Sequence, residues 1–158
     1  MTMQDFLDDF RSTIASESVR LMAITDEAAS RRPSAGKWSP KEVIGHLIDS
    51  AANNHSRFVR AQIEDDMIFP GYNQDAWVRL QRYNDRPWME LISLWRAYNA
   101  HLASIVAAIS PDRLSLQRTR HNLDQIAWRT VPASQPATLE YFIRDYLGHM
   151  KHHLSQIP

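Results

Sequence analysis

Seven histidines stand among the 158 residues of this chain, and there is no cysteine. A thiolate metal site is therefore excluded, and the histidines carry the metal chemistry to be weighed. His149 and His153 lie four residues apart. On a helix that spacing sets both rings on one face, one turn apart, as a pair offered to a single ion. Such pairs also arise by chance, so the spacing alone is a weak signal. On a wheel of about 100° per residue, Phe142, Tyr146, Met150 and Leu147 all fall within about 160° of His149 on one side. The pair sits at the edge of that apolar arc, where a ring reaches inward yet leaves a coordination position open. Lys151 and His152 point to solvent.

A third ligand has to come from elsewhere in the chain. His46 shares a helical stripe with Asp49, Ser50, Asn53 and Arg57, which reads either as a solvent face or as the wall of a polar pocket. His55 lies opposite, inside the apolar arc of Leu47, Ile48, Ala51, Phe58 and Val59. Periodicity makes His55 the more buried of the two, and a hydrogen-bonded core histidine is the ordinary occupant of such a position. Spacing leaves His46 and His55 level.

The elements that must position these side chains are helical. Four long segments carry a period near 3.6 and none shows sustained strand alternation. The first runs from about Gln4 to Ile24, with Phe6, Leu7, Phe10, Ile14, Val19 and Leu21 recurring at helix-like spacing. A breaker-rich loop follows over 31–38. The second helix has the clearest start in the sequence. Ser39-Pro40-Lys41-Glu42 supplies an N-cap serine, a proline at the first helical position and a glutamate that closes a capping box. It is expected to reach about Ile63. Phe69-Pro70-Gly71-Tyr72-Asn73 marks a turn, with a short helix expected around Asp75 to Gln81. Pro87 opens the third helix, which Ser110-Pro111 stops. Residues 112–137 look irregular, and Thr138 caps a last helix reaching Ile157. The expected fold is all-α, a four-helix bundle with long crossover loops, in one domain over residues 1–158.

Composition narrows the function classes. Acidic and basic residues number 18 each and the formal net charge is zero. That argues against a nucleic-acid or membrane footprint, which needs a basic excess. Arg79, Arg82 and Arg86 read as a solvated helix face. The absence of cysteine removes disulfides, thiolate metal sites and a cysteine nucleophile. Met1 to Asp5 lacks the apolar core of a signal peptide, and no apolar run approaches about 18 residues. A cytoplasmic protein is expected.

Two segments carry a family likeness. Trp38-Ser39-Pro40-Lys41-Glu42-Val43-Ile44-Gly45-His46-Leu47-Ile48-Asp49 opens the second helix, and Tyr146-Leu147-Gly148-His149-Met150-Lys151-His152-His153 closes the fourth. Together, and in this order, they resemble the DinB-like (DinB/YfiT) superfamily of metal-binding four-helix bundles, over nearly the whole chain. The resemblance implies a bundle of the DinB/YfiT-like type holding one divalent ion on three facial histidines. Carried onto this sequence they are His46, His149 and His153, which breaks the tie against His55. It also implies an activity: some DinB-like proteins are S-transferases or isomerases that use bacillithiol, mycothiol or glutathione, and others are described as metal-dependent hydrolases.

Three imidazoles leave positions open for water or substrate, as in catalytic zinc sites. Zinc or nickel is the expected metal, with iron or manganese also compatible. The expected function is an enzyme that activates water or a low-molecular-weight thiol against a small electrophile. The alternative is a non-catalytic metal-binding stress-response module acting through a protein partner; a homodimer is compatible with either. Asp49 and Asp145 are candidates for orienting a ligand histidine through its free ring N–H, with an exposed helix acid as the plainer reading of Asp145. Tyr72, Asn73, Gln74 and Trp77 are candidates for a lid or pocket wall, with Trp77 alternatively plugging the bundle end. All of this requires the ring of His46 to lie within about 6 Å of the other two, since nitrogen–metal bonds are only about 2 Å long.

Overall fold

The structure is a computed structural model that describes residues 1–158. Its helices are α1 (Met3–Met22), α2 (Asp26–Ala29), α3 (Pro40–Arg60), α4 (Gln74–Gln81), α5 (Trp88–Ala107), α6 (Pro111–Ser115), α7 (Leu123–Ile126) and α8 (Leu139–Leu154), with one 3₁₀ turn at Tyr83–Asp85. There is no β-strand, only two isolated bridges, Met67 with His121 and Arg118 with Ala137. None of the helices is long and apolar enough to cross a membrane.

The capping chemistry expected of α3 is present in full. Ser39 Oγ accepts from the Glu42 amide at 3.2 Å, and a Glu42 carboxylate oxygen accepts from the Ser39 amide at 2.9 Å. Such a cap stabilises a helix by roughly 1 kcal/mol. The differences from expectation fall at ends and in short pieces. The first helix stops at Met22, and Thr25 caps a separate turn, α2. The second stops at Arg60 and the last at Leu154, three residues short in each case. Residues 112–137 are not irregular throughout. Ser110-Pro111 also starts α6, with Ser110 Oγ accepting from the Arg113 amide at 3.4 Å and Pro111 in the first turn. Helices of four or five residues are too short to show a period, so sequence patterning passes over them.

Four long helices make the bundle, and side-chain contacts fix their order and direction. α5 and α8 each pack against both α1 and α3, so α1 and α3 stand diagonally. Arg144, early in α8, donates to the Met1 carbonyl at 3.0 Å, while Arg20, late in α1, donates to the Leu154 and Ile157 carbonyls at 2.9 Å. α1 and α8 are therefore parallel. Asp26 accepts from both Lys41 Nζ at 3.0 Å and the Trp88 amide at 2.8 Å, so α3 and α5 start together and are parallel too. The result is an up, down, down, up arrangement.

Because α3 and α5 run the same way, residues 61–87 must return along the full length of the bundle. That crossover lays α4 and the 3₁₀ turn against α3. Every residue from Pro40 to Ala51 is consequently buried, polar side chains included. Phe10, Leu21, Ile44, Leu47, Trp88, Leu91, Trp95 and Leu102 form the centre of the core, each no more than 1% exposed. At roughly 2 kcal/mol per large apolar side chain, this burial is the main stabilising contribution.

Candidate metal centre

His46, His149 and His153 meet where the start of α3 passes the end of α8. One ring nitrogen from each lies within 4.8 Å of the other two, inside the limit of about 6 Å set above. His46 Nε2 and His149 Nε2 are 3.3 Å apart. Two nitrogens on one ion, with bonds of about 2.1 Å and an angle between 90° and 110°, stand about 3.0–3.4 Å apart. The donor set is all nitrogen, and the spacing fits a single divalent ion.

The order of burial reverses the periodicity argument for α3. His46 is fully buried, at 0% exposed. His55 is half-buried on the other side of the helix, with Nδ1 3.0 Å from the Tyr98 hydroxyl and its ring beside that of His101. The polar stripe of α3 is the wall of a pocket rather than a solvent face: Asp49, Ser50 and Arg57 are 2%, 3% and 6% exposed.

Electrostatics keeps the three rings neutral, as metal ligation requires. Burial, followed by the neighbouring His153, lowers the His46 pKa to about 4. Burial, together with His153, His46 and His152, lowers that of His149 to about 3. Burial also lowers His153, partly opposed by its bond to Gln156. That bond is instructive. His153 Nδ1 donates to Gln156 Oε1 at 3.0 Å, which fixes the tautomer and leaves Nε2 free as a lone-pair donor. Gln156 was not singled out from the sequence, although its place three residues after His153 is the signal that would have found it. The Trp38 ring covers the other side, 5.0 Å from the His46 ring and 6.3 Å from that of His153.

Asp49 and Asp145 are both buried, but neither bonds to a histidine. Asp49 Oδ1 accepts from the Tyr83 hydroxyl at 2.6 Å and from Gln81 Nε2 at 2.7 Å. Asp145, at 9% exposed, is not the exposed helix acid of the plainer reading. Its two oxygens accept from the Trp128 and Arg129 amides, each at 2.8 Å. Burial raises the pKa of both carboxyls against the pull of these bonds. Each acid thus holds a loop aromatic beside a Gly-His dipeptide. A side chain at Gly45 would overlap the Tyr83 ring, and a Cβ at Gly148 would come within 3.1 Å of the Trp128 ring.

The 72–77 segment divides. Tyr72 and Gln74 line a cavity of about 190 Å³ that His149 also lines. Asn73 instead caps α4, accepting from the Ala76 amide at 3.0 Å. Trp77 is 38% exposed and packs on Tyr72 at 4.9 Å between ring centroids, so it does not plug the bundle end. Arg79, Arg82 and Arg86 are exposed.

Comparison with known proteins places this geometry in a family context. Residues 11–157 match the DinB superfamily. Two Oceanobacillus iheyensis proteins named as candidate metal-dependent hydrolases are similar in sequence. One is 29% identical over 123 residues, covering 78% of this chain and 64% of the relative. The other is 23% identical over 133 residues, covering 84% and 74%. The chain thus spans less than two thirds of the former relative, at 64% of its length. Among solved structures, YfiT from Bacillus subtilis, described as a candidate metal-dependent hydrolase with an unusual four-helix bundle topology, superposes with a TM-score of 0.76 and 17% identity, over 97% of this chain and 82% of YfiT. A mycothiol-dependent maleylpyruvate isomerase superposes with a TM-score of 0.65 and 18% identity, over 96% and 60%. At such identities these likenesses show the fold alone.

Proposed function

This chain belongs to the DinB superfamily, and from that premise we propose that it is a divalent-metal-dependent enzyme acting on a small electrophile, as a hydrolase or as a thiol S-transferase. The observation that carries the proposal is the convergence of three neutral ring nitrogens within 4.8 Å beside a cavity that reaches His149. We assign His46, His149 and His153 as the ligands and zinc or nickel as the metal; three imidazoles also accommodate iron(II) or manganese. Bound there, such an ion supplies Lewis-acid chemistry, lowering the pKa of a water or thiol and polarising the group under attack.

The chain's own residues have distinct tasks in this reading. Burial holds His46 neutral and fixed, and the Gln156 oxygen turns the free nitrogen of His153 inward. Trp38 covers one side of the centre and keeps water from it. Asp49 and Asp145 act as positioning residues, through the aromatic rings they anchor rather than through the imidazoles. Tyr72 and Gln74 contact the substrate from the cavity wall. The names of the two curated relatives favour water as nucleophile. The mycothiol dependence of one structural neighbour supports a thiol, which must arrive as a cosubstrate because the chain has no cysteine.

The test is elemental analysis of the purified protein, followed by turnover of an ester, amide and lactone panel and of thiol–electrophile pairs, beside a His149→Ala control. One metal per chain and turnover abolished in the variant are expected. Metal near zero stoichiometry overturns the metal-centre reading. Full metal with no turnover of any pair favours the non-catalytic stress-response module.

A further inference from the structure

Arg57 is a buried cation with no counter-ion. It is 6% exposed and follows His46, Ser50 and Asn54 along one face of α3. Its Nη2 donates to the Pro70 carbonyl at 2.9 Å, and its Nη1 reaches Asn54 Oδ1 only at 3.5 Å. The face of Phe142 lies 6.0 Å away, and the Tyr72 phenol is near it on the same cavity wall. One good bond to a neutral carbonyl does not offset the removal of a guanidinium from water. The other buried arginine, Arg118, is spent differently. With Arg113 it donates to the Ala61 and Glu64 carbonyls just past the end of α3, where unpaired carbonyls and the helix dipole favour a cation.

Arg57 lines the cavity that His149 reaches, sharing its wall with Ser50, Asn54, Tyr72 and Phe142. The volume of about 190 Å³ has room for several water molecules, or for a short organic molecule. Burial pushes the Tyr72 phenol up to about 12, so it offers a hydroxyl hydrogen to an anion instead of repelling it. The one acid of the wall, Asp145, has both oxygens occupied by the Trp128 and Arg129 amides. We propose that this cavity takes a small organic acid, its carboxylate paired with the Arg57 guanidinium and its reacting group directed to the histidine centre. The planar fork of arginine suits the two oxygens of a carboxylate. Only the second half of the proposal rests on the metal-centre reading; the anion site stands on Arg57.

Ligand-observed NMR titration of the metal-loaded protein tests it, with butanoate, butanamide and propyl phosphate as probes. Butanoate is expected to bind about 30-fold or more tightly than butanamide, and Arg57→Gln to lose that preference, since truncating one partner of a buried charge pair costs at least that factor. Arg57→Lys, which keeps the charge but not the fork, should retain part of it. His149→Ala should keep it, because the carboxylate is anchored away from the metal. Should Arg57→Gln fail to fold, the acid-to-amide ratio and the lysine variant carry the test. Equal affinity for acid and amide overturns the proposal, as does a preference unchanged in Arg57→Lys and abolished in His149→Ala, which would put the carboxylate on the metal. Tighter binding of propyl phosphate overturns the assignment of a carboxylate. Acid selectivity in a protein that holds no metal would sink the metal-centre reading alone. Metal and turnover without acid selectivity would sink this one alone.

Discussion

The two helices that meet at the centre are built in opposite ways. The α3 side is enclosed: His46 and every other residue from Pro40 to Ala51 are buried. The α8 side is open: His149 and His153 are half-buried, and His152 and Gln156 are exposed. Each side carries a Gly-His dipeptide whose glycine admits an aromatic ring, the buried Tyr83 at Gly45 and the exposed Trp128 at Gly148. On α3 the imidazole of His46 is fixed by packing; on α8 that of His153 is held by a hydrogen bond to the exposed Gln156. Under the proposed assignment, a ring fixed by packing would face two half-buried ones.

Four substitutions break or sharpen this contrast. The largest effect is expected from His46→Ala, which should weaken metal binding more than about 100-fold, beyond the range seen for outer-shell partners, and also destabilise the fold. Chelator competition read beside His153→Ala measures it; a greater loss in His153→Ala would reverse the roles of the two sides. Next is Gly45→Ala, which drives a methyl into the Tyr83 ring inside the packed half. It should cost about 1–3 kcal/mol in chemical denaturation. A neutral result would mean that the ring is free to move. Gln156→Leu removes the acceptor of His153 Nδ1 and should lower metal affinity about 10-fold, with the melting temperature unchanged because the residue is exposed. A drop in melting temperature would show that the open side is packed after all. The smallest effect belongs to Gly148→Ala, under about 1 kcal/mol, since Trp128 is 37% exposed and can swing away. Equal costs at the two glycines would erase the distinction.

What could be read from sequence follows the same division. The start of α3 was legible because Ser39, Pro40 and Glu42 form a local capping pattern that tertiary contacts do not alter. The His149/His153 pair was legible because α8 lies at a surface edge, where helical periodicity and burial agree. The choice of His46 over His55 was not readable from spacing alone. Periodicity assumes that the apolar arc of a helix is its buried side, and α3 is buried on both. His46 lies on the polar face that the 61–87 crossover and the cavity enclose, while His55, in the apolar arc, lies beside His101 at the periphery. Family likeness was needed to choose between them. Asp49 and Asp145 were expected to orient a ligand histidine, but their partners are the Tyr83 hydroxyl and the Trp128 amide, which come from short connecting segments that no period reports.

His46 and His149 are separated by 103 residues. The entropic cost of closing so long a loop grows only slowly with its length, but contacts of long range form more slowly than local ones. An ion bound as proposed would therefore meet its complete ligand set only once α8 has docked against α3, and metal uptake during refolding would report that step.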